Sequence, residues 1–476
     1  MRRRLGVLAT ATALAGAAFA TLPGAALAHG LVGRQDLPIP RWLFAWGAAV
    51  VLVVSFVALA VLWPQARLEH MGERRLFRLP AALEPLAGLL GVAAFVLVVY
   101  AGFAGTQTAT ANIAPTVIFV IFWVGIPFLS ALFGNVFAAF NPWRAVARAV
   151  AWGTTRAGAN APAPLAYPKW LGRWPAALGI LAFAWVELVY VNRDDPSTLS
   201  ILALAYAATQ LVGMSLYGIE PWTRNADAFA VYFRLFSMLS PVHWRDRVLS
   251  LRAPLSGTAA LNPVPGTVAL LCTMIGTTSF DGFSQGALWT GTNGIAPKLQ
   301  EHFVALGLSQ VPALELTFTI GLVLMVLFVA GLYRLGVAGM AGIGAGHDPS
   351  ELGRRFVHSL VPIALAYVVA HYFSLLAYQG QAMVPLASDP LGNGSDLFGT
   401  ASTIIDYNVI SATGVWYVQV AALVLGHAVG LTLAHDRALV VYRRMRDATR
   451  SQYWMLAVMV GFTSLGLWLL SASAQQ

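Results

Sequence analysis

The sequence predicts an all-α integral membrane protein, a polytopic helical bundle of about ten transmembrane helices behind a cleaved signal peptide. Three observations carry that class: an apolar composition, apolar runs that recur at membrane length, and a one-sided placement of the basic residues. Hydrophobic residues make up 58% of the 476 and charged residues only 10%, with a mean hydropathy of +0.69. Soluble domains carry about 25% charged residues, so this chain is made for a bilayer. The net charge of +9 then needs no nucleic-acid partner, because membrane sorting of Lys and Arg accounts for it.

The amino terminus has the three parts of a secretory signal. Arg2, Arg3 and Arg4 precede an apolar, Ala-rich run from Leu5 to Ala20; Pro23 and Gly24 break it, and Ala26-Leu27-Ala28 offers the small-x-small pattern of a cleavage site. Residues 1–28 are therefore read as signal peptide and 29–476 as a single polytopic domain. Cleavage after Ala28 exposes His29, whose α-amine and ring Nδ1 together form a metal chelate that no internal histidine can make.

Apolar runs follow at 42–63, 85–105, 115–139, 174–191, 198–218, 264–280, 313–334, 356–378, 412–434 and 452–472. With an outside N-terminus these spans alternate and bring the C-terminus outside as well. The loops that fall on the cytoplasmic side hold clusters such as Arg74, Arg75 and Arg78, then Arg245, Arg247 and Arg252, then Arg443, Arg444 and Arg446. Beyond the signal peptide only Arg34, Arg41, Arg193 and Lys298 fall outside, a strong positive-inside bias that puts the protein in the plasma membrane. Residues 225–240 carry Phe229, Tyr232, Phe233, Phe236 and Leu239 on one stripe, the pattern of an interfacial cytoplasmic helix. Residues 154–168 read as a flexible connection, and the lone cysteine, Cys272, as a small packing residue.

Two long outer loops, 279–312 and 380–411, carry acidic groups including Asp281, Glu301, Asp389, Asp396 and Asp406, and long ordered loops often serve function. Ionisable groups at membrane depth are costly and are functional candidates by default. His371 leads them: Tyr367, His371, Ser374 and Tyr378 are spaced to share one helical face, which must turn toward a bundle interior or a wet cavity. His427 lies beside Gly426-x-x-x-Gly430, where it also fits a close helix contact. Glu187 and Glu315 lie near span ends, suited to a cavity or to the interface. His29, Asp281, Glu301, His302, His371 and Asp406 are the groups that can converge on the outer side, and imidazoles with carboxylates suit a divalent ion such as copper or zinc. No tight ligand motif, nucleophile elbow, P-loop or dinucleotide fingerprint is present.

Four stretches carry a resemblance. They are His29-Gly-Leu-Val-Gly-Arg-Gln-Asp-Leu-Pro-Ile-Pro-Arg-Trp, Phe137-Ala-Ala-Phe-Asn-Pro-Trp-Arg-Ala-Val, Tyr167-Pro-Lys-Trp-Leu-Gly-Arg-Trp-Pro-Ala and Ser279-Phe-Asp-Gly-Phe. In these the chain resembles the actinobacterial multi-pass proteins called fenitrothion hydrolases, over nearly its whole length. The resemblance implies hydrolysis of an organophosphorus triester by a membrane enzyme, with an apolar substrate reaching the site from the outer leaflet. A bound divalent metal would supply the activated water for such chemistry, with His29, His302 and His371 as its ligands and Asp281 or Asp406 to orient them or take the proton. Two other classes stay open: a transporter or permease for a metal cation or small solute, and a non-catalytic assembly subunit.

Overall fold

A computed structural model describes residues 41–158, 163–343 and 346–473 of the chain. The signal peptide and His29 lie outside the described residues. The protein is predominantly helical, and a helix occupies each of the apolar runs read from the sequence. In chain order the principal helices are α1 (Arg41–Leu62), α2 (Leu83–Ala104), α3 (Ile113–Phe133), α4 (Pro142–Arg156), α5 (Trp174–Leu188), α6 (Pro196–Tyr217) and α7 (Ala228–Ser237). They continue with α8 (Thr267–Ser284), α9 (Ile295–Ala305), α10 (Gln310–Ala341), α11 (Leu360–Gln379), α12 (Ala412–Val441) and α13 (Met445–Ser473). Among the described residues six helical segments are long and apolar enough to cross a membrane: α2, α3, α6, α10, α12 and the run Pro349–Ser388 that contains α11.

Burial separates lipid-facing helices from central ones. On α10, Leu324 and Leu327 are exposed while Leu322 is buried, as expected where one stripe meets lipid and the other the bundle. α8 is enclosed along almost its entire length, with Thr273, Thr277, Thr278 and Ser279 all buried. These hydroxyls lower its hydropathy, and Thr277 and Thr278 bond back to carbonyls one turn earlier. α8 packs against α5, α10 and α11, and α11 against α12 and the middle of α3. Close approach of α11 and α12 follows from glycine: a Cβ on Gly426 would stand 2.2 Å from the Ala366 Cβ.

The middle of α3, Thr116–Gly125, is wound as a π-helix. Pro127 lacks the N–H that the Trp123 carbonyl would receive in an α-helix, and a wider turn relieves the clash of its ring. This winding sets the direction of Trp123, which stacks on Tyr232 of α7 at 4.8 Å between ring centres.

The helical class stands, with one small addition and two changes to what the sequence leads one to expect. β1 (Glu73–Arg78), β2 (Val242–Arg245) and β3 (Val248–Arg252) form an antiparallel sheet in the order β1-β3-β2. Its hairpin turns through Asp246 and Arg247 at φ 51° and 65°, a left-handed turn usually announced by Asn-Gly or Asp-Gly. α7 is not an open interfacial helix. Tyr232, Phe233, Leu235 and Phe236 are buried in the main core, so the aromatic stripe is spent within the protein. And the outer loop expected over 279–312 is largely helical: its first residues finish α8, then Ala287–Thr290 and α9 fold over that end, with Trp289 packed on Phe280 at 5.4 Å.

Candidate functional site

Five helices bring polar groups together at one place inside the bundle. Asp281, in the last turn of α8, is fully buried, and its Oδ2 stands 2.8 Å from Nε2 of His371 on α11. The neighbouring Tyr372 donates its hydroxyl to the same oxygen at 2.8 Å. Glu187, in the last turn of α5, is buried within Coulombic reach of Asp281. Trp123 from the π-wound part of α3 and Tyr232 from α7 close the enclosure against Glu187. Two carboxylates, an imidazole and two phenols are thus gathered in the buried interior.

The chemistry of this arrangement is acid–base chemistry. A carboxylate oxygen accepts only, so Tyr372 is the donor to Oδ2, while His371 Nε2 approaches the same oxygen as an ion-pair contact without hydrogen-bond geometry. Water is nearly excluded, with His371 only 6% exposed, so charges here interact strongly.

Of the described residues singled out from the sequence, the structure brings Asp281, His371 and Glu187 together and keeps His302 and Asp406 apart from them. Asp281 is a helix residue and not, as expected, a loop residue. His302 is exposed on α9 beside Phe303. Asp406 is exposed in the 380–411 segment, where its Oδ1 accepts from the Asn408 amide at 2.8 Å and its own amide donates to Gln381. Neither reaches the buried pair. Among the described residues no group of three or more His, Cys, Asp or Glu is arranged to hold a metal ion. The expected stripe of α11 holds: Tyr367, His371, Ser374 and Tyr378 are all buried. His358 and His435 are buried too; His435 Nε2 lies 3.1 Å from the Trp63 carbonyl oxygen. Cys272 is buried and free, as a packing residue would be.

Tyr372 and Trp123 were missed from the sequence because aromatic side chains in apolar spans carry no signal of their own. Glu187, weighed only as a possible cavity or interface group, was legible as the one carboxylate inside the run 174–191.

Tyr378 ends the stripe. Its hydroxyl donates to the Ile410 carbonyl at 2.8 Å, and it lines a cavity of about 330 Å³ with Tyr407, Asn408, Ile410, Ser411 and Ala412. The chain matches no protein-family model, no curated protein and no solved structure.

Proposed function

We propose that this is a plasma-membrane protein of ten spans, N-out and C-out, in which the buried Asp281–His371 pair takes up and releases protons to drive a permease. The single observation that carries this reading is the 2.8 Å contact between Asp281 Oδ2 and His371 Nε2, buried among apolar helices. Ionisable pairs in such surroundings mark proton relays and ion pathways. Glu187 and the Tyr372 hydroxyl supply the further groups a relay needs. The arginine clusters at one end of the bundle support the orientation.

Proteoliposomes holding a pH-sensitive dye test this directly. An imposed potential should drive faster proton entry than in protein-free vesicles, and Asp281→Asn and His371→Gln should abolish the difference. Wild-type flux no faster than that of empty vesicles overturns the reading.

A second reading is favoured by the orientation of His371 by a carboxylate, which is also how a general base is held. On the hydrolase reading implied by the resemblance, His371 takes the proton of a water that attacks a phosphotriester while the aryloxide leaves. A metal centre of copper or zinc would need His29 and His302 beside His371, and the exposure of His302 does not fit that set. Release of a nitrophenol from an apolar triester, lost in His371→Gln, separates this reading from transport.

A further inference from the structure

The polar stripe of α11 does not stop at His371. One helical turn toward the arginine-rich end lies Tyr367, whose hydroxyl is buried and has no hydrogen-bond partner among the described residues. Its ring centre is 6.2 Å from that of His427 on α12, and Phe462 of α13 packs on both, at 5.3 and 6.3 Å. His427 is fully enclosed. Its Nδ1 lies 2.7 Å from the Leu423 carbonyl oxygen, an acceptor, so Nδ1 carries the hydrogen and Nε2 presents a lone pair. That Nε2 also has no partner among the described residues. Buried polar atoms are otherwise almost always satisfied, and an unsatisfied one calls for an explanation. Here two stand on one interhelical seam, together with the Ser374 hydroxyl one turn on the other side of His371.

The seam is built to leave these groups open. A Cβ at position 466 of α13 would stand 2.8 Å from the Tyr367 hydroxyl, so Gly466 is what gives that hydroxyl room. Around His427 the facing groups are Tyr367, Phe462 and the glycine-lined backbone of α12, none of them charged at neutral pH.

We propose that His427 and Tyr367 form a second proton station, so that the α11–α12–α13 seam carries protons between the Asp281–His371 pair and the arginine-rich end. Nε2 of His427 takes the proton and returns it, while Nδ1 stays held by Leu423. The opposite mouth of the path is the cavity at Tyr378, reached past Ser374. This rests on the proton-handling reading of Asp281 and His371 and adds the route by which that pair is connected.

Two measurements on the full-length protein test it. Nitrogen NMR of histidine-labelled protein should find His427 as the Nδ1–H tautomer, with an Nε2 signal that moves in Tyr367→Phe. Proton flux into proteoliposomes should fall to the empty-vesicle rate in His427→Gln and drop clearly in Tyr367→Phe, with both variants eluting as folded protein. Wild-type flux in both variants, while Asp281→Asn remains blocked, removes the second station and leaves the first intact. Absence of flux in the wild type removes both. An Nε2 signal indifferent to Tyr367→Phe also overturns the station.

Discussion

Tyr372 and His371, adjacent on α11, converge on a single oxygen, Oδ2 of Asp281, each at 2.8 Å. Consecutive helical residues point about 100° apart, so α8 must lie between their two directions for one carboxylate to serve both. That geometry ties the last turn of α8 to the middle of α11 and makes Asp281 the hinge of the site.

Removing that carboxylate leaves a buried imidazole and phenol facing apolar walls. Asp281→Ala should destabilise the folded protein by about 3–5 kcal/mol, the usual cost of breaking a buried pair from one side. Asp281→Asn, which keeps an acceptor for Tyr372, should cost less. Unfolding in detergent mixtures followed by tryptophan fluorescence measures both.

The buried carboxylate of Asp227 is structural, and it should behave differently from that of Asp281. Asp227 accepts from Asn141 at 3.0 Å, Trp143 at 2.6 Å and Tyr206 at 2.8 Å, and caps α7 through the Ala230 amide at 3.1 Å. All its lone pairs are in use, so it is a clamp between α4, α6 and α7. Asp227→Ala should lower stability by about 3–5 kcal/mol, since several buried donors lose their partner at once. Trp143→Phe should cost about 1.5–3 kcal/mol, one bond to a charged acceptor. Neither should change the histidine NMR signals of the site in the fraction that stays folded.

Close helix contact at Gly426 makes a third prediction. Its missing Cβ would collide with Ala366, so Gly426→Ala should force α11 and α12 apart and cost about 1–3 kcal/mol. Gly461→Ala, with open space at its Cβ position, should not destabilise. Thermal denaturation in detergent compares them.

At the arginine-rich end, Glu220 meets Arg144 and Arg148 at 2.9 Å each, and Glu84 pairs with the same two arginines. Burial pushes the Glu220 carboxyl up, but the charges and hydrogen bonds of Arg144 and Arg148 outweigh it and hold it below its ordinary 4.5. A depressed carboxyl stabilises the fold above its unfolded value and loses that contribution as pH falls through the folded value. Stability should therefore decline as pH drops below about 4.5, less so in Glu220→Gln and at high salt, where exposed ion pairs are screened. A Tm series between neutral and acidic pH checks the sign.

Much of the fold was legible because lipid imposes long apolar runs and sorts arginine. Helices fell where the runs did, and the α11 stripe was readable from its spacing. The small sheet was not, since its hairpin turns on Asp246-Arg247 and its strands lie in charged loops that read as connections. α7 misled because an aromatic stripe looks the same whether it meets a leaflet or a core. The site was half legible. His371 announced itself by its depth in a span, but Asp281 was assigned to a loop because α8 runs several residues past its apolar run. Glu187 joins them only through the packing of α5 on α8, a contact that no local pattern encodes.

Infrared difference spectroscopy of the purified protein, titrated with acid and base, reads proton exchange at the Asp281–His371 pair. A protonating Asp281 gives a carboxylic C=O band, coupled to imidazole bands of His371. The wild type should show such a band, which disappears in Asp281→Asn and shifts in His371→Gln. A spectrum identical in wild type and Asp281→Asn would contradict it, because the pair would then not exchange protons at all.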